Sequence, residues 1–128
     1  MQLNSSSVGQ TKMTSDEAFE EIEVALDPYL RAGGFIRQRS EAHPQAFGSR
    51  YSQYESEARE LRLIWDGKDG HFVLDCRPLA RETKVNPWRD LIVLRYDAQP
   101  EQAGSQASSI AREFARALEG HLEQWRSE

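Results

Sequence analysis

Cys76 is the one thiol in the 128-residue chain, and His43, His71 and His121 are its three imidazoles. Nucleophilic catalysis would need that thiol ionised with a base in reach. His71, the nearest histidine, precedes it by five positions, an odd separation that sends two strand residues to opposite faces. Cys76 instead shares a face with Phe72 and Leu74, which predicts a buried, inert thiol. No His or Cys pair stands at a zinc-ligand spacing, so no metal and no cofactor is expected. Asp66-Gly67-Lys68-Asp69-Gly70 is acid-rich but lacks the alternating acids and distal glutamate of a calcium loop, and reads as a turn. Asp66, Asp69 and Asp75 are the candidates for paired acid–base carboxylates. Asp75 falls on the face opposite Cys76, and no spacing ties it to the other two.

Binding chemistry is better represented. At 100° per residue, Asp16, Glu20, Glu23 and Asp27 fall within about 60° of a helix surface, with Glu17 and Glu21 beside them and Val24 on the same arc. A row of like charges slightly destabilises a helix. It is either a solvated face or a docking surface for a basic partner protein, with Val24 as a small apolar anchor. Trp88, in an irregular stretch, is a further candidate contact if exposed.

Arg37 and Arg39, at two-residue spacing, are expected on one strand face, followed by Arg50, Tyr51 and Tyr54. Arginine beside aromatic rings suits small anions or single-stranded nucleic acid. No glycine-rich cradle or RNA-recognition signature accompanies them, and a net charge of -5 argues against phosphate-backbone binding.

These side chains are carried by recognisable elements. Thr14-Ser15-Asp16-Glu17 is a capping box that opens a helix. Ala18, Phe19, Ile22, Ala25, Leu26, Tyr29 and Leu30 form its core stripe, Pro28 predicts a kink or restart, and Gly33-Gly34 the stop. Strands are predicted over 35–42, 47–55, 60–65, 71–76 and 91–96, the third marked by alternation of Leu61, Leu63 and Trp65 with polar neighbours. The Asp66–Gly70 turn makes strands three and four a hairpin, and 77–90 is a long connection. After Pro100, Ile110, Phe114, Leu118, His121, Leu122 and Trp125 share a helical face. Residues 1–13 lack an apolar pattern and are expected to be a disordered tail, leaving 14–128 as a single α+β domain: helix, antiparallel meander, helix packed on the sheet.

The polar start lacks the pattern of a secretion signal, no apolar run approaches the ~20 residues of a membrane span, and one cysteine cannot form an internal disulfide. A cytoplasmic location is expected. The element order resembles, in architecture, small bacterial immunity-type and other adaptor domains; the resemblance covers no specific motif and transfers no residue roles. The expected function is non-enzymatic protein binding through Asp16, Glu20, Glu23, Val24, Asp27 and Trp88. The alternative is a small-molecule binder or minor enzyme with a pocket between sheet and helices lined by Tyr51, Trp65, His71 and His121. A sheet edge is also compatible with a homodimer.

Overall fold

The computed structural model describes residues 14–79, 86–97 and 102–128; the expected tail, 1–13, lies outside them. Helix α1, Ser15–Ala32, begins as the capping box predicts. The Glu17 amide donates to the Thr14 hydroxyl at 3.1 Å and the Thr14 amide to the Glu17 carboxylate at 2.9 Å. Two backbone donors that the first turn cannot satisfy internally are thereby paired. Thr14→Ala is expected to lower stability by about 1 kcal/mol, read as a fall of a few degrees in the thermal midpoint.

α1 runs through Pro28 as one element, so no restart occurs there. Pro28 lies on the exposed side, while Ile22, Leu26 and Leu30, before and after it, hold the helix to one core. At its end the Gly34 amide donates to Arg31 and the Phe35 amide to Leu30, at 3.0 and 2.8 Å. Gly34 takes φ +79°, the left-handed turn that this double closure uses and that glycine adopts freely. The chain reverses within two residues and enters the sheet.

Five strands follow: β1 Ile36–His43, β2 Ser49–Glu55, β3 Arg59–Asp66, β4 His71–Pro78 and β5 Arg89–Arg95. They pair antiparallel in sequence order, β1-β2-β3-β4-β5. Helix α2, Ala103–Arg126, closes the order and packs against α1 and β5. It continues through the exposed Gly120 to its last turn. This is the expected α+β arrangement.

Both helices lie on one face of the sheet. Leu61, Leu63, Trp65, Phe72, Leu74 and Cys76 point from β3 and β4 into a core shared with Phe19, Ile22 and Leu26 of α1 and Ile110, Phe114 and Leu118 of α2. Among the described residues no helix covers the second sheet face. The turns at one sheet end lock together, for the Gly67 amide donates to the Ser49 hydroxyl at 2.9 Å. A Cβ at Gly67 would lie 1.9 Å from the Phe47 carbonyl oxygen, so only glycine permits that approach.

Candidate functional site

A bulge in β1 between Arg37 and Arg39 sets the geometry. Arg37 lies opposite Tyr54 and Arg39 opposite Gln53, neighbours of opposite orientation on β2. The expectation that the two arginines share a face is therefore corrected: the extra residue, Gln38, shifts the alternation by one. Arg37 turns toward α1, where Nη1 lies 3.7 Å from Glu23 Oε2. Arg39 turns to the face without helices.

Along α1 the acidic row meets β1 and β2. Glu23 accepts a hydrogen bond from the Tyr54 hydroxyl. Asp16 pairs with Arg50 at 3.1 Å, and that guanidinium also lies 4.2 Å from the Phe19 ring centroid. Asp27 pairs with Arg31 one turn on at 2.8 Å, where both side chains are exposed; such pairs contribute little. Glu20 has no ion pair among the described residues. The row is thus partly neutralised by this chain's own arginines, which corrects the picture of carboxylates directed only at water. Arg37 and Arg50 reach it because the meander places β1 and β2 beside α1.

Between α1 and β1 these residues enclose a groove of about 580 Å³, lined by Glu20, Glu23, Val24, Asp27, Pro28, Leu30, Phe35, Arg37 and Tyr54. Val24 is 73% exposed on the groove, whereas Ile36, 68% exposed, alternates with Arg37 and turns to the sheet face without helices. The groove gathers Glu20, Glu23, Val24 and Asp27 from the sequence-derived set. Its floor is polar but satisfied: burial first, then the adjoining Glu23 carboxylate, push Tyr54 far above the ordinary phenol value. The phenol stays protonated and donates. Its remaining lining combines apolar surface with the carboxylates of Glu20 and Asp27, while the Arg37 guanidinium is held against Glu23 and Arg31 shares Asp27 in an exposed pair, an arrangement that leaves room for a cation on an apolar stem. Phe35, Arg37 and Tyr54 carry no local signal that joins them to the acids, because their approach to α1 is set by strand pairing distant in sequence.

Trp88 belongs elsewhere. It is half-buried, with Arg62 and Arg77 guanidinium carbons 3.8 and 4.2 Å from its ring centroid. Beneath lies Arg62, which donates from Nε to Asp75 Oδ1 at 3.1 Å and from Nη2 to Oδ2 at 2.6 Å. Arg77 donates to Glu60 at 2.7 Å, and Gln53 donates to the same carboxylate at 2.9 Å. Trp88 thus packs on the sheet face away from the acidic helix, which separates it from the other docking candidates.

The four residues of the alternative pocket do not converge. Strand alternation turns Tyr51 and His71 to the face without helices and Trp65 to the core. His121 sits half-buried on α2, 5.6 Å from the Trp125 ring. Cys76 is buried facing the core, and burial raises its thiol above the ordinary value. Asp75 lies opposite Arg62 rather than beside Asp66 or Asp69. Among the described residues no cluster of three or more His, Cys, Asp or Glu is arranged to hold a metal ion. None of the described helices is long and apolar enough to cross a membrane. No protein-family model, curated protein or solved structure matches the chain.

Proposed function

We propose that this chain is a non-enzymatic protein-binding domain that takes a basic, partly apolar segment of its partner in the groove between α1 and β1. The observation that carries this reading is the meeting of exposed Val24 and the apolar edges of Leu30 and Phe35 with Glu20 and Asp27 along one groove. Apolar surface supplies affinity, and the carboxylates select partners of opposite charge and speed their encounter. The single buried thiol suits a reducing compartment such as the cytoplasm.

A threonine-rich blocked heptapeptide carrying lysine, valine and lysine at positions two, four and six tests it by isothermal titration. Binding is expected to weaken at least about tenfold in the Glu20→Lys, Asp27→Lys double variant, and to weaken with added salt. Both residues are exposed, so the variant's thermal midpoint should stay near that of the parent. Equal affinity for this peptide and its glutamate counterpart would overturn the reading.

A further inference from the structure

β1 is an eight-residue edge strand, exposed at every position and, among the described residues, paired only to β2. An edge strand presents unpaired amides and carbonyls along its free side, a template for another strand. β1 also carries the devices that discourage indiscriminate pairing: Arg37, Arg39 and Glu41 along it, and the bulge at Gln38. The Gln38 side-chain amide donates to the Ile36 carbonyl at 3.4 Å. Such an edge accepts a strand only where side-chain contacts add to the backbone bonds.

The groove provides them on β1 and not on β5. Glu23 lies beside Arg37 near the start of β1, while Asp16 lies beside Arg50, the partner of Ala42 near its end. α1 therefore runs antiparallel to β1, with its acidic row alongside the strand. Glu20 and Asp27, seven residues apart, are separated by roughly 10 Å along a helix axis. Alternate side chains of an extended segment recur every ~7 Å, so two or three consecutive alternate positions span that row.

We infer that the partner segment binds as an added edge strand on β1, its alternate lysine or arginine and β-branched side chains entering the groove. The inference rests on the protein-binding reading above and specifies how the site is used. Backbone hydrogen bonds to β1 hold the segment, the stems of its basic side chains lie against Val24, Leu30 and Phe35, and their charges meet Glu20 and Asp27.

The test uses the same heptapeptide in three forms: unmodified, N-methylated at positions two, four and six, and N-methylated at positions three and five. In an added strand only every second amide faces the neighbouring strand. One methylated set should therefore lose about thirtyfold or more in affinity, since each lost bond contributes on the order of 1 kcal/mol, while the other changes less than about threefold. Hydrogen exchange at free-edge amides of residues 37–43 should slow in the complex with the unmodified peptide. If both methylated sets bind alike, or those amides exchange unchanged, strand addition is overturned and the groove reading stands. If the unmodified peptide does not bind, the protein-binding reading falls and this inference with it. Tighter binding of a helix-forming peptide with lysines four residues apart also overturns the inference, in favour of a helix in the groove.

Discussion

Arg62→Ala is expected to destabilise the protein by about 3–5 kcal/mol at neutral pH, because it leaves a buried carboxylate without its partner. The Asp75 side chain is 5% exposed, and Arg62 is its bidentate donor. Burial already raises Asp75 above the ordinary carboxylate value, Arg62 opposes that rise, and Asp90 adds to it. Without Arg62 the rise must be larger. A carboxyl group with a raised pKa in the folded state takes up its proton more readily folded than unfolded. The stability linked to it is fully present below the ordinary carboxylate value and is lost as pH rises through the folded value. The deficit of Arg62→Ala should therefore be greatest at neutral pH and shrink as pH falls toward about 4, the ordinary aspartate value. Urea titrations at several pH values measure this, and an equal deficit throughout would contradict it. Replacing both partners, Arg62→Leu with Asp75→Leu, should recover much of the loss, since no charge is then left buried.

Phe72→Ala should cost a similar amount, about 3–5 kcal/mol, by a different route. Phe72 is fully buried, with its ring centroid 4.6 Å from Trp65 and 5.5 Å from Tyr96. Truncation removes its apolar surface and both ring contacts, and leaves a cavity in the core between the sheet and the helices, beneath strands that hydrogen bonding holds in place. Against a total stability of about 5–15 kcal/mol for a typical domain, a large share is lost. This deficit should vary little with pH, which separates it from that of Arg62→Ala in the same titrations. Val24→Ala, at an exposed position, should remain within about 0.5 kcal/mol of the parent; a comparable loss there would contradict the assigned core.

The elements were legible because their signals are local. Thr14 and Glu17 announce the helix start, the stripe from Ala18 to Leu30 announces its buried face, and the alternation around Leu63 announces β3. The Arg62–Asp75 pair is also encoded locally. Once Asp66 to Gly70 is read as the turn of a hairpin, its register sets Arg62 opposite Asp75. The bulge at Gln38 gave no comparable signal, and the even spacing of Arg37 and Arg39 pointed to the wrong arrangement.

Periodicity and capping in the amino-acid sequence were enough to determine which segments become helix or strand and which faces of α1, β3 and α2 turn inward, since those preferences act over a few residues. Tertiary structure alone decided that Arg37 and Tyr54 close on Glu23, that Arg50 meets Asp16, and that Trp88 rests on Arg62 and Arg77 away from the acidic helix. Each of those contacts depends on strand register and on where α1 lies over the sheet. Both are set by packing of the whole core, which no short stretch of residues encodes.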